Sequence, residues 1–120
     1  MPSATRDRAS GFSLAQSSNL LDVLLAAQRG DFSARMPADK TGLEGKICDA
    51  MNVVIEMNQR LSQELQRIGN AVGKEGKITQ RAFLGDATGG WFDCVESVNG
   101  LIADLVQPSN EVSRVIGAVA

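Results

Sequence analysis

Between Ile47 and Val72 the residues Ile47, Met51, Val54, Asn58, Leu61, Leu65, Ile68 and Val72 fall at alternating steps of four and three. That spacing keeps one seam of an α-helix turned toward a neighbouring helix, and Asn58 is its single polar member. At 1.5 Å rise per residue the helix is roughly 39 Å long, more than a chain of 120 residues can wrap on every side. A second copy of the chain is the nearest source of a partner along the whole length. Val53, Ile55 and Met57 widen the stripe, which suits packing between two or three neighbours. A second seam through Ala50, Val54, Met57 and Leu61 overlaps the first, so a modest axial rotation exchanges one for the other.

The spacing returns downstream in Trp91, Val95, Val98, Ile102, Leu105, Ser109, Val112, Ile116 and Val119, with Ser109 the polar member. Upstream, a helix is expected from Ser18 or Asn19, either of which suits an N-cap. It would run through Leu20, Leu21, Leu24, Leu25 and Ala27 and stop at Gly30, a residue tolerant of left-handed backbone angles. Residues 1–17 are small and polar and read as a mobile leader. The connector from Asp31 to Lys40 breaks the helical period, and its large apolar residues, Phe32 and Met36, are its expected anchors. Thr41 and Glu44 have the spacing of a capping box for the long helix that follows. Gly69 and Gly73 weaken the far end of that helix, each by ~1 kcal/mol relative to alanine. A second connector spans Gly73 to Gly90, with Ile78, Phe83 and Leu84 as candidate anchors and Thr88 as the cap of the last helix. Pro108 inside that helix marks either a kink or the first turn of a new segment.

The chain carries a formal charge of −2 and 43% apolar residues, with a sequence pI near 5.0. Nothing in that balance steers it toward nucleic acid or an anionic membrane. No apolar run approaches the ~20 residues a bilayer span needs, and no secretory signal opens the chain; a cytoplasmic location follows, for a parent protein either soluble or attached to the inner face of the membrane. Cys48 and Cys94 sit within expected helices and read as reduced thiols rather than a disulfide or metal site. With no histidine, the commonest general base and metal ligand is missing. Gly73-Lys74-Glu75-Gly76 lacks the spacing of a phosphate-binding loop. Asp86 and Asp93 suit a helix start better than acid–base work, because no base or nucleophile accompanies them. The expectation is a non-catalytic chain with no cofactor and no metal.

The chain also repeats itself. Gly30-Asp31-Phe32-Ser33-Ala34-Arg35 aligns with Gly76-Lys77-Ile78-Thr79-Gln80-Arg81 at an offset of 46, and Met51-Asn52 with Val98-Asn99 at 47. Arg67-Ile68-Gly69-Asn70-Ala71-Val72 aligns with Arg114-Val115-Ile116-Gly117-Ala118-Val119, again at 47. Asn52 and Asn99 are best read as bonding a connector backbone group. A helix, Gly-Asp-Phe, a connector with apolar residues four apart, and a capped helix carrying an apolar residue followed by Asn together resemble the HAMP signalling module. The carrying residues are Arg29 to Pro37 with Met51-Asn52, and then Val72 to Ile78 with Gly89-Gly90-Trp91 and Val98-Asn99. The second set resembles the divergent HAMP type that recurs in the tandem arrays of hybrid sensor histidine kinases. The family's Asp-Glu-apolar-Gly stands here as Gly42-Leu43-Glu44-Gly45, with the acid displaced by one position, and the second unit has no acid there.

The resemblance implies an all-α fold of tandem HAMP units, each a parallel, dimeric four-helix coiled-coil bundle with irregular connectors and long shared helices. The units would be residues 18–66, residues 61–107 sharing the helix 43–72, and a truncated third unit at 108–120 opened by Pro108, the truncation suggesting an excised fragment. Gly30 and Gly76 would end the first helix of each unit, and Phe32 with Met36, and Ile78 with Ala82, would anchor the connectors. The bundle core would comprise Leu21, Leu24 and Leu25, the seam from Ile47 to Val72, and Val95, Val98, Ile102, Leu105, Val112, Ile116 and Val119. The implied function is signal transduction in a two-component phosphorelay, with conformational change passing through a parallel homodimer from an N-terminal sensor to a C-terminal output, a histidine kinase. The rival readings are a static dimeric coiled-coil spacer and a small-ligand sensor.

Overall fold

The computed structural model describes Phe12 and residues 14–119, with the side chains of 15, 16 and 106–119 left aside. It is all-α. Three α-helices, α1 (Leu14–Gln28), α2 (Gly42–Ile68) and α3 (Gly89–Val119), and one π-helical turn (Gly69–Lys74) make up its regular structure, with no strand among the described residues. The chain divides into two compact units, Met1–Gln59 and Arg60–Ala120, and α2 runs unbroken through the division. No helix among the described residues is long and apolar enough to cross a membrane.

α1 begins at Leu14, four residues ahead of the expected cap, so Ser17, Ser18 and Asn19 lie inside it. Ser and Asn lower helix propensity by only a few tenths of a kcal/mol, and packing decides the boundary. Phe12, read from the sequence as part of a mobile leader, packs on the buried cluster of Val23, Met36, Cys48 and Ile55; residues 1–11 and 13 of that leader lie outside the described residues. The end of α1 follows the sequence. Gly30 takes a φ of 84°, its N–H bonds the Ala27 carbonyl at 2.9 Å, and the Asp31 N–H bonds the Ala26 carbonyl at 2.9 Å. That is the paired closure of a Schellman turn.

α2 begins at Gly42 (φ 64°) and α3 at Gly89 (φ 58°), each directly after a threonine. Gly42 thus supplies a left-handed start that a residue with a Cβ adopts only under strain, rather than merely weakening a first turn. The expected Thr41–Glu44 capping box is not made among the described residues. The Thr41 carbonyl accepts the Gly45 N–H at 3.2 Å, as the Thr88 carbonyl accepts that of Phe92 at 3.5 Å, the ordinary first backbone bond of each helix.

α2 ends at Ile68, short of the expected Val72, and the glycine-rich residues after it form the π turn. The Glu75 N–H bonds the Asn70 carbonyl at 3.0 Å, and the Lys77 N–H reaches back six residues to Ala71 at 2.8 Å. The equivalent bond in the first unit spans five residues, Asp31 to Ala26. The wide turn therefore absorbs one residue that the second unit has and the first lacks. α3 is helical through Pro108, which sits inside the helix rather than at a helix boundary. Proline there costs one backbone bond, to the carbonyl four residues back, and the flanking turns stay helical. The side chains of Pro108, Val112, Ile116 and Val119, and so the contacts of the expected third unit at 108–120, lie outside the described residues.

Candidate functional site: connector clasps and an exposed apolar row

Each connector is gripped by one asparagine from the long helix after it. In the first unit the Met36 N–H donates to Asn52 Oδ1 at 2.7 Å, and Asn52 Nδ2 donates to the Met36 carbonyl at 3.1 Å. In the second the Ala82 N–H donates to Asn99 Oδ1 at 2.7 Å, and Asn99 Nδ2 donates to the Ala82 carbonyl at 3.0 Å. A side-chain amide offers donor and acceptor in one plane, so it satisfies both backbone groups of one extended residue and leaves none orphaned. Met36 and Ala82 are buried at 3% and 4% exposure.

An arginine beside each clasp stiffens the connector from within. Arg35 Nη1 bonds the carbonyls of Phe32 and Ala34, and Arg81 Nη1 bonds those of Ile78 and Gln80, both at 2.8 Å. Asp31 accepts the Ser33 hydroxyl at 2.6 Å and its N–H at 3.0 Å. These two bonds, led by the hydroxyl, hold the exposed Asp31 carboxyl below its ordinary pKa. Elsewhere the holds differ. Arg35 Nη2 reaches Gln59 on α2 at 2.7 Å. In the second unit Glu64 on α2 accepts Arg67 Nε and Nη2, each at 2.8 Å, and the Phe83 N–H at 2.6 Å. Arg67 Nη2 also donates to the Arg81 carbonyl at 2.9 Å. The Arg67 guanidinium is the largest influence on Glu64, whose pKa it lowers against an opposing effect of burial, and Arg67 is raised in turn.

The connectors bring in some expected anchors and turn others out. Phe32 is half-buried against the first cluster, and Met36, Ala82 and Leu84 are buried. Phe83 and Ile78 are exposed rather than buried. For Phe83 the reason is local: with Asn99 holding Ala82 inward, the two-residue alternation of extended chain puts Phe83 outward and Leu84 inward; Ile78 lies in a turn, where that alternation does not apply.

The long helices show a similar offset. The chain's own connector and first helix cover the Cys48–Ile55 row of α2, one residue on from the Ile47–Val54 row of the seam. Ile47, Val54 and Leu65 are exposed, as are Leu21, Leu24, Leu25 and Leu105, while Met51, Asn58, Leu61, Val72 and Val98 are half-buried. Ile68, Val95 and Ile102 are buried in the second unit. A cavity of about 210 Å³ in that unit is lined by Phe83, Leu84, Ala87, Phe92, Val95 and Glu96, among others. It falls below the ~300 to 1,000 Å³ usual for small-molecule sites.

The paired clasps were legible in the repeat of Asn52 and Asn99. Glu64 and Arg67 were not singled out from the sequence; their i, i+3 spacing on a helix was the available signal. Comparison with known proteins finds no family model and no solved structure that matches this chain.

Proposed function

We propose that this chain is a tandem HAMP-type relay, a parallel homodimer that carries conformational change from a sensor on its N-terminal side to a histidine kinase or similar output on its C-terminal side. The duplicated asparagine clasp carries the reading. Two compact units, each with buried residues of its own, hold a connector by the same two bonds to the same residue type, which is what a serial array of one module requires. The exposure of Leu21, Leu24, Ile47, Val54 and Leu65 supports the dimer, since fully burying each such side chain is worth about 1.5–3 kcal/mol before entropy is subtracted. The chain performs no catalysis of its own and uses no cofactor or metal in this reading. Two packings of similar energy, built on the overlapping seams of α2, would be exchanged by helix rotation.

Cysteines at Leu61 and Leu65, in a Cys94→Ser background, test it. Mild oxidation is expected to join identical positions of two copies rapidly. A chain that sediments as a monomer, or pairs only between unlike positions, ends the proposal. Met57→Ala then separates relay from static spacer, because a relay changes output in the full receptor and a spacer leaves it unmoved.

A further inference from the structure

The second connector has a hold that the first lacks. Glu64 takes three hydrogen bonds, two from Arg67 and one from the Phe83 N–H, and its side chain is only 13% exposed. Arg67 spans onward to the Arg81 carbonyl at 2.9 Å and to Gln80 Oε1 at 3.4 Å. The pair thus touches residues 80, 81 and 83, on both sides of the residue that Asn99 grips. Charge-assisted bonds of this kind are shorter and roughly twice as strong as neutral ones. At the corresponding place in the first unit, 45 residues earlier as Val23 stands to Ile68 and Ala26 to Ala71, are Asn19 and Asp22. Neither supplies a cation, so no equivalent pair can form.

We infer that Glu64 and Arg67 form a switchable clasp that fixes the second connector to α2 and thereby sets where the exposed Phe83 ring is presented. The connector is held from two helices at adjacent residues: Ala82 from α3 through Asn99, and Phe83 from α2 through Glu64. Turning one helix against the other breaks one hold while the second persists. Phe83 is the residue that moves, for its N–H is the one bonded to the carboxylate and the residue is 74% exposed. The same α2 holds the first connector at Asn52 and Gln59. One unbroken helix therefore holds one connector through amide side chains and the next through a carboxylate.

Amide hydrogen exchange on the full chain tests the clasp. E64Q keeps the shape and removes the charge. It is expected to speed exchange at Phe83 about tenfold, the loss of a charge-assisted bond, and to leave Ala82 within about twofold. An unchanged Phe83 overturns the inference, and so does equal acceleration at both residues, which would show general loosening. Arg67→Gln is the second variant, for use also where E64Q does not fold, and it too is expected to speed Phe83, because Glu64 loses the group that fixes its carboxylate. In the double variant the effect is expected to match E64Q alone, as for groups acting as one unit; two effects that add overturn it. Use of the clasp as a lever rests on the relay reading, whereas the exchange result does not. A monomeric chain whose E64Q variant frees Phe83 alone would end the relay and keep the clasp.

Discussion

At Gly45 in the first unit, an added Cβ would lie 2.4 Å from the Lys40 carbonyl oxygen and 2.8 Å from its carbon. The connector closes directly onto the helix there because nothing projects between them. The second unit has Phe92 in that place, 47 residues on, with Ala87 in place of Lys40. Phe92 and Ala87 line the cavity of about 210 Å³, and the Phe92 ring is half-exposed. The two units thus differ at this place, one closing on a glycine and the other carrying an aromatic residue that lines a cavity. The two clasped backbones are alike, so the difference lies in how tightly each connector end seats on its helix. A repeat fixes hydrogen bonds more strictly than it fixes packing.

The sharpest way to break this comparison is to give the first unit a side chain where it has none. Gly45→Ala is expected to destabilise the first unit by about 2–3 kcal/mol, the upper part of the range for overpacking against backbone. The gain in helix propensity, below ~1 kcal/mol, offsets little of this. Phe92→Ala at the matching place should cost about 1 kcal/mol, since only half of the ring leaves a buried surface. Urea denaturation read through amides of each unit measures both. Equal costs for the two substitutions would show that glycine and phenylalanine play the same part and would dissolve the contrast.

A second pair of variants tests what the units share. Asn52→Ala and Asn99→Ala each strand a buried backbone N–H and C=O, at a cost of about 1–3 kcal/mol. The two costs should agree to within ~1 kcal/mol, because the bonds match in length and the gripped residues in burial. Exchange should quicken at Met36 alone in the first variant and at Ala82 alone in the second. Loss of protection at both amides in either variant would mean that the units do not hold their connectors separately.

Much of this architecture could be read from residue order. Asn52 and Asn99 recur at the offset of the helices, and Gly30 and Gly76 at that of the connectors, because each does a backbone job that few residue types can do. The helix starts were half legible: Thr41 and Thr88 stand directly before α2 and α3, while the left-handed angle of the glycines after them was missed because glycine inside a helix boundary reads first as weakness. The start of α1 was misplaced because local caps compete with packing, and Phe12 settles the matter through contacts distant in sequence. The π turn was invisible for a similar reason. Gly69 and Gly73 announced a poor α-helix, but the widened ring depends on where Ala71 and Lys77 must end up. The seam of α2 was legible as a stripe; which of its rows the chain covers for itself depends on the connector, whose path periodicity does not describe.

Acid should separate the two connectors by their chemistry, with a smaller effect than either pair of substitutions. Glu64 is depressed in the folded chain, chiefly by its bonds from Arg67, so its contribution is complete above the ordinary glutamate range and is lost as pH falls through its lower folded value. Arg67 keeps its charge across that window. On the first connector the matching hold, Arg35 to Gln59, contains no acid. Asp31 there is also depressed, but it is exposed and ties only its own turn through Ser33. After correction for intrinsic exchange, protection at Phe83 is therefore expected to drop as pH falls below the ordinary glutamate range, while Met36, gripped by a side chain that does not titrate, keeps its protection to lower pH. E64Q should remove this pH dependence at Phe83. If Phe83 and Met36 lose protection together in the native chain, the ionic hold has no standing apart from the fold, and the contrast between the connectors reduces to the packing at Gly45 and Phe92.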